Sequence, residues 1–444
     1  MRSSFWAFCE PKRMDGIVCS ESFFRGVTMS KLKIEGGIPL RGETELQGSK
    51  NAVLPILASS LLAQGPCEIE NVPRLSDVRA ALEILRHLGC SASMEGRCAA
   101  VDTKGLCRWE IPEELMGRMR SSVMFLGAIL ARMGRVSLTL PGGCELGPRP
   151  IDLHLDAMRA LGAQVSEEGG RLTLTAEALH GGTVLLRLPS VGATENALIA
   201  ACLAKGETEI INAAREPEIE DLAAFLTAMG ARVSGAGTSR ILVEGAASLH
   251  GARHRVIPDR IAAATCLAAC AAAGGEVTVK GARQDHLGAF LAVLEKMGVS
   301  LEFGADYIRA RVPGQLKAPG TVETGPYPAF PTDGQPPLLA ACLTAAGETK
   351  FVENMFENRF RHVSELMKMG ARAQVIGRVC TLRGGELHGA QVEAADLRGG
   401  AALAVAALAA RGESLIGGLS HIERGYDGLA GVLQDLGARA FEID

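Results

Sequence analysis

Six times along the chain the hydrophobic pattern passes through the same succession of changes. A stretch that is apolar or small on every side comes first: VLPILASSLLA, VMFLGAILARM, NALIAACLA, AAATCLAACAAA, PPLLAACLTAA and ALAVAALAA. A helix with no polar face has to be buried all round. A short strand-like run follows, at 67–72, 136–140, 208–212, 276–280, 349–353 and 413–416. Then comes an amphipathic pattern with apolar residues returning at three and four: SDVRAALEILRHLG, IDLHLDAMRALG, EIEDLAAFLTAMG, DHLGAFLAVLEKMG, RHVSELMKMG and YDGLAGVLQDLG. Each ends in Leu or Met followed by a glycine (Gly89, Gly162, Gly230, Gly298, Gly370, Gly437), 67 to 73 residues apart by difference of those positions. Glycine there is what a helix C-terminus needs. The repeat predicts an α/β chain of six units, each a buried helix, a strand, an amphipathic helix and a strand.

Polar residues fall at fixed points of this repeat. At or just before each buried helix stand Lys50 and Asn51, Arg120 and Ser121, Ser190 with Gly192, Asp259 and Arg260, Asp333, and Asp396 with Arg398. The loop after each strand carries Arg74, Cys144 with Arg149, Arg215, Arg283, Arg359 or Arg424. A buried helix opens with free N–H groups and the positive end of its dipole. Several such starts facing one cleft form an anion site lined by Lys and Arg. The pattern therefore predicts a phosphorylated or carboxylated ligand bound between domains. Arg79, Arg86, Arg159 and Arg232 lie off these points and read as solvated surface charges.

Composition narrows the class. A chain of 444 residues should form two or more domains. A net charge of −4 and 4% aromatic residues give no basis for a nucleic-acid partner. The apolar runs at 261–273 and 401–410 are Ala-rich and fall short of the ~20 residues that span a bilayer, so no membrane partner is expected. The twelve cysteines are scattered, and Cys202, Cys266, Cys270 and Cys342 lie inside apolar runs, where a thiol acts as a small hydrophobe. None has zinc-site spacing, so no metal and no cofactor is expected, and a reducing, cytoplasmic compartment fits. Residues 1–30 lack the apolar core of a signal peptide and read as a disordered extension, or as sequence ahead of the true start at Met29.

One loop stands apart. PGGCELGPRPIDLH, at 141–154, joins a strand to a helix and gathers a thiol (Cys144), a guanidinium (Arg149), a carboxylate (Asp152) and an imidazole (His154). A thiol beside cationic groups near a helix start ionises more easily than a buried one, and the Gly142-Gly143 pair can hinge.

This loop, together with GSKNAVLPILASSLLA, MRSSVMFLGAILAR, NAAREPEIEDL, PDRIAAAT, AFPTDGQPPLLA, ENRFRHVSELMKMGA, DLRGGAALAVAAL and HIERGYDGL, resembles the UDP-N-acetylglucosamine 1-carboxyvinyltransferase family, collinearly from about residue 32 to the C-terminus. These are enolpyruvyl transferases of the first committed step of peptidoglycan synthesis. The resemblance implies an α/β, two-domain enolpyruvyl-transferase fold of six βαβαββ-like units, three per domain, joined by two crossovers around an active-site cleft. The domains would be 31–49 with 258–444, and 50–257. It implies that phosphoenolpyruvate and UDP-N-acetylglucosamine are the substrates and that phosphate is released by addition and elimination. Lys50, Arg120, Arg149 and Arg424 would clamp phosphoenolpyruvate. Asn51, Pro150, Ile151, Asp152, Leu153, Ser190, Val191, Gly192, Asp333 and Met355 would contact the sugar nucleotide. Asp333 would take the proton of the 3′-hydroxyl, and its plain alternative is a helix N-cap. Cys144 would be the general acid and the thiol that forms covalent adducts, including that with the epoxide fosfomycin. Arg359, Asp396 and Arg398 would support the cleft.

Two positions depart from the family. Leu188 stands where some members carry a basic residue toward the nucleotide phosphates, with Arg187 adjacent, and Met124 stands where some have Trp. Two alternatives stay open: an enzyme acting on shikimate 3-phosphate, and a sugar-nucleotide-binding paralogue without catalysis.

Overall fold

The computed structural model describes residues 30–139 and 151–444. The expectations for the extension up to Met29, for the Gly142-Gly143 hinge, and for Cys144, Arg149 and Pro150 lie outside the described residues, as does the side chain of Arg120.

Each repeat builds one four-stranded sheet, and there are six among the described residues. In one, Glu110–Ile111 runs parallel beside Arg135–Thr139. That strand pairs antiparallel with Arg171–Thr175, which pairs antiparallel with Gln164–Glu168. Parallel neighbours need a crossover, and the buried segment of the repeat supplies it, as Phe125–Met133 does here. The amphipathic helix, here Asp152–Ala160, then leads to the hairpin. The same order recurs around Glu207–Ile211 and Glu348–Val352. All six repeat glycines have positive φ, from +88° at Gly437 to +104° at Gly89, a backbone state that L side chains resist.

Two sheets exchange an edge strand. Leu40–Glu45 leads into helix Lys50–Ser59 but pairs in parallel with Gly275–Lys280. Arg253–Arg255 leads into helix Arg260–Ala273 but pairs in parallel with Cys67–Glu70. The chain thus passes twice between two halves, and the two passes lie side by side. Gly48 bridges Pro258. Ser49 N–H donates to the Ile257 carbonyl at 2.8 Å and Asp259 N–H to the Gln47 carbonyl at 2.9 Å. The chain's first strand, Lys31–Gly36, completes the last sheet between Gly412–Gly417 and Arg439–Ile443.

Two hydrophobic cores result. One is built from residues 52–256 around helices Lys50–Ser59, Phe125–Met133 and Val191–Ala201. The other joins 32–46 to 262–440 around Arg260–Ala273, Gln335–Cys342 and Leu397–Ala409. Each fully buried Leu or Ile here contributes about 1.5–3 kcal/mol. Burial pushes the thiols of Cys202, Cys266 and Cys342 up to about 12, so they serve as packing groups. No helix among the described residues is long and apolar enough to cross a membrane.

The crossover leaves no room at Gly48, where a Cβ would fall 1.8 Å from the Asn71 carbonyl oxygen. Gly48→Ala is expected to destabilise the protein by about 3 kcal/mol, the upper range for overpacking a rigid site. Urea unfolding checks this, and an unchanged midpoint would show that the crossover yields freely.

Candidate active site

The crossovers deliver two buried helices to one place. Lys50 opens the first, and its backbone N–H donates to Asp259 Oδ2 at 3.2 Å. Asp259 also caps the second helix, accepting from Ile261 and Ala262 N–H at 2.8 and 3.0 Å. The Lys50 ammonium reaches Asp77 at 2.8 Å. Asp77 sits in the first turn of Ser76–His87 and accepts from Arg424 Nε at 3.0 Å and Nη2 at 3.3 Å. Lys50 and Asp77 belong to one half of the molecule and Arg424 to the other. Burial pulls the Lys50 ammonium below its ordinary pKa, Asp77 opposes this, and Arg424 and Arg398 add to it.

Asp333 organises a second cluster. It lies in the turn Thr332–Gly334 ahead of helix Gln335–Cys342, and no side chain caps that helix. Its carboxylate instead accepts from Arg359 Nη2 at 2.6 Å and from Arg398 Nη2 and Nε at 3.0 and 3.2 Å. Burial alone would raise the Asp333 pKa, but Arg398 and Arg359 outweigh it and hold the carboxyl well below the usual range. Arg359 also donates to the Thr332 carbonyl at 2.9 and 3.2 Å. Arg398 Nη1 donates to the Tyr426 hydroxyl at 3.3 Å. That hydroxyl is 2.8 Å from Thr265, which donates to the Ile261 carbonyl at 3.0 Å. Asp396, by contrast, is a cap, accepting from Arg398 and Gly399 N–H at 3.0 and 2.9 Å.

The two clusters present opposite groups to solvent. In the first the carboxylate is 1% exposed and Arg424 20%. In the second the guanidinium groups of Arg359 and Arg398 are 2% and 3% exposed and Asp333 28%. One cluster offers a cation, the other a carboxylate.

A third group lies around helix Val191–Ala201. Ser190 caps it, accepting from Ala193 N–H at 3.4 Å, and Val191 and Gly192 are half-buried at its start. Gly192 leaves room for His154, whose Cε1 would be 3.0 Å from an added Cβ. Burial pushes the imidazole down to about 4, so it is neutral near pH 7 and its Nδ1 can accept from Asn196 Nδ2 at 2.8 Å. Ile151, Asp152 and Leu153 are half-buried at the start of the neighbouring helix. Arg187, adjacent to the exposed Leu188, is paired with Asp152, and with Asp156 at 3.1 Å. Asn51 follows Lys50, half-buried. Met355 is exposed four residues before Arg359, and its N–H donates to the buried Glu353 at 2.8 Å.

Lys50 and Arg424 thus meet on Asp77, and Asp333, Arg359 and Arg398 meet one another. Asp77 and Tyr426 were not singled out in the sequence: an acid in a helix's first turn and a Tyr beside glycine have ordinary structural uses. Glu195 and Glu218 were missed too. Arg260 is buried against Glu218 at 2.9 Å, across the two cores. Glu195, inside the Val191–Ala201 helix, is 1% exposed, and neither of its oxygens meets a hydrogen-bond partner among the described residues. Burial, with Glu218 and Glu216 nearby, raises its pKa well above 4.5. Among the described residues no three His, Cys, Asp or Glu side chains are grouped to hold a metal ion.

Comparison with known proteins gives one consistent family. Residues 34–433 match the family profile described as EPSP synthase (3-phosphoshikimate 1-carboxyvinyltransferase). The UDP-N-acetylglucosamine 1-carboxyvinyltransferase 2 of Caldanaerobacter subterraneus is 46% identical over 416 residues, 94% of this chain and 100% of that protein. The UDP-N-acetylglucosamine 1-carboxyvinyltransferase 1 of Staphylococcus aureus is 45% identical over 415 residues, 92% of this chain and 98% of that one. The crystal structure of the enolpyruvyl transferase NikO from Streptomyces tendae superposes with a TM-score of 0.85 at 27% identity, covering 93% of this chain and 99% of that one. EPSP synthase from Acinetobacter baumannii shares the fold, with a TM-score of 0.73 at 19% identity over 93% of this chain and 100% of its own.

The Glu195 carboxyl carries a test of its own. A raised folded pKa means that the folded protein keeps a proton which the unfolded chain releases near 4.5, so stability is lost as pH rises from there. Glu195→Gln cannot ionise and escapes that loss. It is expected to melt higher than the wild type at about pH 7.5 and level with it at about pH 4. A difference independent of pH would show that Glu195 is charged in the fold.

Proposed function

The chain belongs to the enolpyruvyl transferase family, in its UDP-N-acetylglucosamine 1-carboxyvinyltransferase branch, and from that premise we propose that it transfers the enolpyruvyl group of phosphoenolpyruvate to the 3′-hydroxyl of UDP-N-acetylglucosamine, releasing phosphate. This is the first committed step of peptidoglycan synthesis, carried out in the cytoplasm without metal or cofactor. The observation that carries the reading is the pair of clusters with opposite exposed groups, a cation on Asp77 and a carboxylate on two arginines. The reaction needs both, an anion clamp and a proton acceptor.

In this mechanism Lys50 and Arg424, with Arg120 and Arg149, take the carboxylate and phosphate of phosphoenolpyruvate. Guanidinium forks match such oxygens bidentately. The Cys144 thiol gives its proton to the methylene carbon, and the 3′-oxygen bonds to the adjacent carbon as its own proton passes to Asp333. Loss of a methyl proton and of phosphate then restores the double bond on the sugar. Asn51, Pro150, Ile151, Asp152, Leu153, Ser190–Val191–Gly192 and Met355 hold the sugar nucleotide, with Asp396 and Arg398 fixing the wall behind Asp333. The cleft lies between domains 31–49 with 258–444 and 50–257.

The family profile's description favours one competing substrate, shikimate 3-phosphate, so the assay includes it. Purified protein with phosphoenolpyruvate is expected to release phosphate with UDP-N-acetylglucosamine and not with shikimate 3-phosphate. Cys144→Ala is expected to lose at least about 100-fold in rate, the lower range for removing a proton-transfer group, and Cys144→Asp to keep part of it. Full activity in Cys144→Ala would remove the thiol from the reaction. Release with shikimate 3-phosphate alone would reassign the substrate.

A further inference from the structure

Asp77 is not among the groups assigned above to substrate, yet two of them are built on it. Its carboxylate is almost wholly buried and takes the Lys50 ammonium at 2.8 Å on one side and the Arg424 fork at 3.0 and 3.3 Å on the other. The two cations come from opposite halves of the molecule, so this carboxylate is a tie across the cleft. It leaves donors free on both: an ammonium has three N–H groups and a guanidinium five, and Asp77 engages one and two of these.

Resting on the function proposed above, we propose that Asp77 is a positioning residue, an internal anion that holds Lys50 and Arg424 together across the two halves so that phosphoenolpyruvate meets a formed pair of cations. Among the described residues, the charged groups facing Lys50 are Asp77, Arg424, Arg398 and Asp259. Asp259 already serves three backbone N–H groups, that of Lys50 among them. Of the other three, only Asp77 favours the charged ammonium, against burial, Arg424 and Arg398. Without it the lysine gives up its proton at lower pH, and a neutral amine is a poor ligand for a phosphate or carboxylate.

The test is the pH dependence of kcat/KM for phosphoenolpyruvate, with UDP-N-acetylglucosamine saturating, in the wild type, Asp77→Asn, Lys50→Arg and the double variant. Asp77→Asn is expected to lower kcat/KM roughly tenfold near neutral pH, the scale of one charge-assisted hydrogen bond. It is also expected to move the alkaline limb to lower pH. In the Lys50→Arg background the same substitution should move no limb, because a guanidinium does not titrate there. Titration of the Cys144 thiol is common to all four proteins and drops out of the comparison. Asp77→Glu should restore the limb. A loss equal at every pH and the same in both backgrounds would reduce Asp77 to a structural ion pair and overturn the proposal, as would no loss at all. Should Asp77→Asn not fold, wild-type protein carrying [15N]lysine reads the same point, and a neutral Lys50 at about pH 8 overturns it. Failure of the wild type to release phosphate from the two substrates is a separate result and rejects the function, not the tie.

Discussion

A cation taken out of water must meet an anion, and removing one partner of such a buried pair costs about 3–5 kcal/mol. The buried cations of this fold are placed by that requirement. Asp77 carries Lys50 and Arg424, Asp333 carries Arg359 and Arg398, and Glu218 carries Arg260. Counted by direct contact, the first two clusters each keep one positive charge in excess of their carboxylate. In the first cluster Arg424 carries that excess toward solvent, whereas in the second the guanidinium groups are buried behind Asp333.

The excess could not be assembled within one repeat. Each unit offers one buried helix start and one loop after a strand, so a repeat standing alone has one or two cations near its edge. The exchange of edge strands Leu40–Glu45 and Arg253–Arg255 between sheets brings helix starts from both halves to the same spot. The backbone bonds between residues 47–49 and 257–259 then fix Lys50 and Asp259 relative to each other. Gly48 in the first pass lies against the Asn71 backbone, where only a residue without a side chain fits.

Much of this was legible in the sequence, for physical reasons that also mark its limit. All-apolar helices and glycines after amphipathic ones are strong local signals: all six glycines have positive φ, and the apolar helices are buried, least completely in the second, where Val123, Met124, Ala131 and Met133 are half-buried. Edge strands of two or three residues, such as Glu110–Ile111 and Thr183–Leu185, have no periodicity to read. Pairing with a distant sheet leaves no local mark either. Among the acids, Asp259, Asp333 and Asp396 look alike as residues before a buried helix. Two of them spend their oxygens on backbone N–H groups, while Asp333 spends its own on arginines. Which partner wins is decided by Arg359 and Arg398, 26 and 65 residues away. Asp77 was missed for the same reason, because its meaning depends on Arg424, 347 residues on.

The hold on Asp333 has a chemical consequence. A carboxylate gripped by two guanidinium groups is a weak base, and a weak base does not draw a proton from an alcohol. In the function proposed above, that grip would have to slacken before Asp333 served as acceptor. Arg359 is anchored a second time on the Thr332 carbonyl and Arg398 on the Tyr426 hydroxyl. Of these, the carbonyl is the stronger anchor, taking two N–H groups of Arg359 at 2.9 and 3.2 Å against one longer contact from Arg398. Arg398 in turn grips Asp333 with two N–H groups, at 3.0 and 3.2 Å, where Arg359 uses one, so each guanidinium is held twice over and the low basicity of Asp333 is built into the cluster.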